Sequence, residues 1–266
     1  MVKFCSLSSG SSGNAVFLEH DGTSVLIDCG VSCRRICDML QQIGKHPEDI
    51  SGILVTHEHS DHIKGISVLT RKYHIPVYSA KNTFENMPET NSVAKDFQHF
   101  ISSGNEFYLG SINVLPFSIP HDAAMPLGYA FRMGDKKISV ATDMGKIDSE
   151  VALHLKGSDL ILLESNHDTQ MLIDGPYPYF LKRRILSEHG HLSNEQAAKL
   201  AVSLARTGTK TFLFGHLSDT NNTPDIVLNT IFFKERFRGY KITFALCSMM
   251  GTHHISKVIY RTTRFS

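Results

Sequence analysis

A mixed α/β fold in one domain is predicted by three features of the 266-residue chain. Period-2 apolar runs fill the first half, and helical periodicity appears between them and grows commoner in the second. No internal repeat, low-complexity tract or Pro/Ser-rich linker marks an interdomain joint, so residues 1–266 are taken as a single domain.

Strands are predicted over 15–19, 24–27, 52–55, 111–117, 129–133 and 137–141. A helix over 32–43 is closed by Gly44, and Cys29, Cys33 and Cys37 recur every fourth residue beside Ile36, Leu40 and Ile43, which reads as its buried face. A second helix covers 64–74. The stretch 165–187 is the least regular, and a long irregular loop in a compact domain suits function. Ser193 and Gln196 form a capping box ahead of an Ala/Leu-rich helix. Thr223 and Pro224 open another, running to about Arg236 between strands at 211–214 and 241–247.

Composition narrows the class. With 41% hydrophobic residues and a net charge of +1, the chain can bury a core and is not a disordered polyelectrolyte. Its apolar stretches, such as 160–163, fall far short of the roughly 18 residues a membrane span needs. The first residues turn polar and glycine-rich by Ser8, without the apolar core of a secretory signal. Five cysteines with no Cys-x-x-Cys pair suit a reducing compartment, so a cytoplasmic protein with no membrane partner is expected.

Fifteen histidines are more than an ordinary domain carries, and they cluster. Directly after the strand 52–55 comes Thr56-His57-Glu58-His59-Ser60-Asp61-His62. On a chain leaving a strand, His57 and His59 project to one side, and a turn at Ser60 brings Asp61 and His62 back beside them. That spacing can grip two adjacent cations. Asp28, His121, Asp143 and His216 each follow a predicted strand, where layered folds gather their sites. Imidazoles and carboxylates suit zinc-like ions, which acidify water and clamp an anionic oxygen, so hydrolysis is the expected chemistry.

Gly-His-Leu-Ser occurs twice, at 190–193 and 215–218. His216 ends an apolar strand, as the other ligands do. His191 stands just ahead of the helix capped by Ser193, where backbone N–H groups suit a phosphate, and is read either as a substrate contact or as a structural or capping residue. Asn166 and His167 either line the cleft or pack. The run Lys182-Arg183-Arg184 either tracks a nucleic-acid backbone or forms a solvated helix face. The Gly/Ser-rich opening 6–14, with Ser11 and Asn14, lets the backbone approach a phosphate or makes a plain turn. No Gly-x-Ser-x-Gly elbow supports covalent catalysis. His20 and His46 read as loop residues; His74, His99, His154, His189, His253 and His254 are left structural.

The ordered set of an early Asp, His-x-His-x-Asp-His, a later His, an Asp and a final His resembles the metallo-beta-lactamase superfamily over about residues 6–218. The resemblance implies a four-layer αββα sandwich with a dinuclear centre. His57, His59 and His121 would hold one divalent ion, Asp61, His62 and His216 the other, with Asp143 bridging and Asp28 orienting the His-rich loop. Zn2+ or Mn2+ would serve. Cys29 after the early Asp departs from the pattern, away from the chemistry. Within the superfamily, the opening 6–14, Leu163-Glu164-Ser165-Asn166-His167-Asp168 with Met171-Leu172, the stretch 182–195 and 221–224 are similar to the YycJ group, also called WalJ or VicX. That group is regarded as 5′-to-3′ DNA exonucleases. The likeness implies phosphodiester hydrolysis by a metal-activated hydroxide; for that reaction Asp61 is expected to help deprotonate the water, and His191 to touch the scissile phosphate and protonate the leaving oxygen. Ser11, Asn14, Asn166, His167 and Ser193 are expected to bind substrate, and nucleic acid, DNA in particular, is the expected partner. Two rivals stay open: a small-molecule hydrolase on the same site, such as a cyclic phosphodiesterase or lactonase, and a regulatory metal-binding protein with little activity. Nothing in the sequence sets an oligomeric state.

Overall fold

The computed structural model describes residues 1–231, 242–248, 257–258 and 261–263. The backbone divides into two units, one mainly Met1–Ser118 with Ala123–Asp135, the other mainly Ile119–Asp122 with Lys136–Ser248.

In the first unit, β1 (Val2–Ser8), β2 (Ala15–His20) and β3 (Thr23–Ile27) form an antiparallel meander. Helix α1 (Cys33–Gln42) leads to β4 (Ile50–Leu54), which joins β3 in parallel. Helices α2 (Ser60–Ile63) and α3 (Ile66–Tyr73) precede β5 (Val77–Ser79), and α4 (Lys81–Asn86) precedes β6 (Gln98–Phe100), extending the sheet in parallel to the order β1-β2-β3-β4-β5-β6. Strands β7 (Phe107–Leu109), β8 (Ile112–Ser118) and β9 (Leu127–Met133) pair antiparallel. The centre of the first sheet is apolar on both faces: Val25, Leu26, Ile27, Ile53 and Leu54 are all buried. Each such side chain contributes roughly 1.5–3 kcal/mol over an exposed one.

Ser32 caps α1 through its hydroxyl, and Ile36, Met39 and Leu40 face the core with Cys33 and Ile43 beside them. Cys29 is buried but lies ahead of the helix, its N–H donating to the His62 carbonyl at 2.7 Å, so the predicted cysteine stripe begins at Cys33. Two other expectations shift. Ser6 and Ser8 belong to β1, which narrows the glycine-rich turn, and His20 ends β2, held near the Ser111 hydroxyl at 3.2 Å.

The second unit is built on four parallel strands. Strands β10 (Lys136–Ala141) and β11 (Leu160–Glu164) flank α5 (Ser149–Leu155), then α6 (Thr169–Asp174), α7 (Tyr179–Ile185) and α8 (Asn194–Ala205) lead to β12 (Thr211–Gly215). Helix α9 (Pro224–Asn229) precedes β13 (Ile242–Ser248), parallel to β12, with β14 (Lys257–Val258) and β15 (Arg261–Thr263) pairing antiparallel to β13. Runs such as Leu160-Ile161-Leu162-Leu163 are apolar without alternation, as strands covered on both faces must be. The stretch 165–187, read as irregular, holds α6 and α7. The capping box of α8 forms with both bonds, and Thr223 caps α9. The expected extension of α9 to Arg236, Lys241, His253 and His254 lie outside the described residues. No helix among those described is long and apolar enough to cross a membrane.

Candidate metal centre

Both units place their polar groups where parallel strands end, the position at which such sheets gather ligands. In the first unit, Asp28 follows β3 and Thr56-His57 follows β4. Asp28 adopts a left-handed backbone, φ 60°, which turns its carboxylate toward the neighbouring strand end. It accepts the Thr56 N–H at 2.8 Å, the Thr56 hydroxyl at 2.9 Å and His62 Nδ1 at 2.8 Å. With its proton on Asp28, the Thr56 hydroxyl accepts from His57 Nδ1 at 3.0 Å. This network assigns the protons of His57 and His62 to Nδ1 and leaves Nε2 as the electron-pair donor of each ring. The His57 ring lies 4.6 Å from that of His59, edge-on, and 4.1 Å from that of His62.

Asp61 and His62 are placed by α2, which is clasped from below. The Asp61 carbonyl accepts the Asn14 N–H at 2.8 Å, and the Asn14 carbonyl accepts the Gly30 N–H at 2.7 Å. At Gly30 a Cβ would stand 1.6 Å from the Asp61 carbonyl oxygen, so only glycine permits this approach. The Asn14 side-chain amide lies 3.1 Å from His62 Nε2, and Asp61 Oδ2 lies 3.4 Å from the same nitrogen.

In the second unit, Asp143 (φ 60°) and His216 (φ 56°) also stand in the left-handed region just past β10 and β12. Such strain costs on the order of 1 kcal/mol or more per residue and persists where surrounding contacts over-determine it. Those contacts centre on Glu164, the last residue of β11 and fully buried. Its Oε1 accepts from His191 Nδ1 at 2.7 Å and His216 Nδ1 at 3.0 Å; its Oε2 accepts the Met144 and Leu192 N–H groups at 2.9 and 3.1 Å. Ligand atoms of Asp143, Glu164, His191 and His216 all lie within 4.8 Å of one another. His216 Nε2 is 3.2 Å from Asp143 Oδ1, and His121 Nε2 is 4.0 Å from the same oxygen. His121 sends Nδ1 to the Gly190 carbonyl at 3.2 Å.

The electrostatics follow from this packing. Burial alone would raise the Glu164 carboxyl, but the charges and hydrogen bonds of His191 and His216 hold it well below the usual carboxylate range. His191 is raised: burial opposes protonation, and the charge and hydrogen bond of Glu164 outweigh it. Burial lowers His121, favouring the neutral imidazole a metal requires. His167, also buried, is pushed down to about 4 by desolvation.

The residues fit divalent metal ions. In His57, His62, His121 and His216 a hydroxyl, carboxylate or backbone carbonyl holds Nδ1, so the donor nitrogen is Nε2 throughout. Anchoring one ring nitrogen to direct the other at a cation is how proteins orient imidazole ligands.

The structure therefore gathers His57, His59, Asp61, His62, Asp28 and Asn14 in one unit, and His121, Asp143, His191 and His216 in the other. Asn166 joins the latter, its amide donating to the His216 carbonyl at 3.0 Å. His167 is buried beside the backbone of Ser193. The Ser193 hydroxyl accepts the Gln196 N–H in its capping box, and Ser11 is exposed on the glycine-rich turn. Arg184 of the basic run is tied to Asp122, and Lys182 to the Ile173 carbonyl. Glu164 was missed as a site residue. The available signal was a lone acid closing an apolar strand, the same context that singles out Asp28 and Asp143.

A family model described as the beta-lactamase superfamily domain matches residues 23–217. The chain belongs to that superfamily, and it is an enzyme, a metal-dependent hydrolase. Among its relatives, the exodeoxyribonuclease WalJ of Streptococcus pneumoniae is 38% identical over 232 residues, 86% of each chain. The exodeoxyribonuclease YycJ of Bacillus anthracis is 40% identical over 226 residues, 85% of this chain and 86% of that one. The crystal structure of the metallo-beta-lactamase fold protein YhfI from Bacillus subtilis superposes with a TM-score of 0.67 at 15% identity, covering 87% of this chain and 92% of that one. That likeness establishes the metallo-beta-lactamase fold.

Proposed function

We propose that the chain is a nuclease, a 5′-to-3′ DNA exonuclease working with two divalent ions, zinc or manganese. The observation that carries this reading is that each unit holds imidazoles anchored through Nδ1 beside carboxylates at its strand ends, joined to the exodeoxyribonuclease names of relatives that share most of the chain. His57, His59 and His121 would hold one ion, Asp61, His62 and His216 the other, and Asp143 both. When bound, the ions supply Lewis acidity that activates water and neutralises charge on the phosphate. In this reading residues 1–266 work as one domain, and the enzyme works in the cytoplasm.

The remaining steps belong to the chain's own groups. Asp61, the more exposed carboxylate, takes the proton of the attacking water. His191 gives a proton to the leaving oxygen, and Glu164, bonded to its Nδ1, keeps the ring in place and stabilises its charged form. Asn14 and Asn166 position the ligands His62 and His216, Ser11 and Ser193 contact the strand, and His167 packs beside the Ser193 backbone.

The test is direct. Purified enzyme is incubated with 5′-phosphorylated and 5′-hydroxyl DNA, RNA and a chromogenic phosphodiester, with and without chelator. Release of nucleotides from the 5′ end of DNA, abolished by chelator and restored by zinc or manganese, is the expected result. Cleavage indifferent to chelator, or hydrolysis of the small diester alone, would overturn it.

A further inference from the structure

Helix α7 turns two consecutive aromatic rings to solvent, Tyr179 at 75% exposure and Phe180 at 74%. It also carries Lys182, Arg183 and Arg184 and no acidic residue. Lys182 and Arg184 are committed to the Ile173 carbonyl and to Asp122. Arg183 has no carboxylate partner among the described residues, and its guanidinium lies 5.9 Å over the Tyr179 ring. Exposed rings interleaved with an uncompensated cation suit a ligand that is flat, apolar on its faces and anionic along its backbone. Unpaired bases of a nucleic-acid strand have that chemistry.

The helix is also fastened to the site. The His191 N–H donates to the Ile185 carbonyl at 3.0 Å. A Cβ on Gly190 would stand 2.1 and 2.3 Å from the Ile185 and Arg184 carbonyls, so the loop bearing His191 lies flat against the end of α7. Asp122, held by Arg184, is the neighbour of His121. Seven helical residues span roughly 10 Å, so the rings stand a few nucleotides from His191.

We propose that Tyr179, Phe180 and Arg183 form a stacking platform that holds unpaired bases of a single-stranded nucleic acid beside His191. It rests on the nuclease reading above and names the form of substrate that the site receives: a strand with its bases free.

The chain contains no tryptophan, so Tyr179→Trp places a single emitter on the platform. Adding an oligothymidylate of roughly twelve nucleotides with cleavage-resistant phosphorothioate linkages to the metal-loaded variant is expected to quench its emission. In the Tyr179→Ala/Phe180→Ala double variant, KM for single-stranded DNA should rise about tenfold or more at unchanged kcat, and KM for a chromogenic phosphodiester should stay as in wild type. Affinity for an abasic strand of equal charge should not change. An unchanged KM for single-stranded DNA, or an equal loss on the abasic strand, would overturn the platform. So would a double variant that loses self-association in sedimentation while keeping its affinity for DNA. Quenching without cleavage of any nucleic acid would fail the nuclease reading alone; cleavage with unaltered KM in the double variant would fail the platform alone.

Discussion

Asp28 directs the Thr56 backbone, the Thr56 hydroxyl and His62 at once, from a left-handed backbone that asparagine also tolerates. Asp28→Asn keeps shape and backbone but removes the charge that polarises His62. Metal affinity should fall 10–100-fold with the fold retained, as read by competition against a chelator. His167 makes a different prediction. Neither ring nitrogen has a hydrogen-bond partner among the described residues, and its folded pKa of about 4 lies below the ordinary 6.5. Between those values the unfolded chain binds the extra proton. The neutral ring's contribution is therefore full above pH 6.5 and is lost as pH falls toward 4. From pH 7 to 5 the wild type should lose about 2 kcal/mol more stability in urea titrations than His167→Gln. Parallel pH profiles for the two proteins would refute it.

Among elements, the decisive feature is the row of strand ends, and much of it was legible. Apolar runs break at Asp28, Asp143 and His216 because a buried strand cannot carry a polar group until it emerges, so the break itself marks the position. The Ser193 capping box was equally plain. Glu164 was not, because one acid after a strand looks like any surface carboxylate until β10, β11 and β12 set it among His191, His216 and the Met144 N–H. Helices α6 and α7 were hidden for another reason: each is under two turns long, and Gly175-Pro176-Tyr177-Pro178 between them breaks the periodicity. The interlock of Gly30 with Asp61 ties the turn after β3 to α2. Gly30→Ala must move backbone, with no flexible side chain to give way. It should cost about 1–3 kcal/mol in thermal or denaturant unfolding and weaken metal binding as well, because α2 carries two of the candidate ligands.

For the molecule as a whole, charge and metal set the behaviour. With 27 basic against 26 acidic residues, no global field draws a polyanion, so attraction must come from the metal site and local features such as α7. Ions that bind only the folded chain add to its stability, so the enzyme should unfold at a lower temperature after chelation. The central claim is that the anchored histidines and Asp143 hold a pair of ions. Elemental analysis of the purified wild type beside Asp143→Asn tests it most directly. The expected result is two divalent ions per chain in the wild type and a clear loss in the variant; less than one ion per chain, or equal content in both proteins, would contradict it.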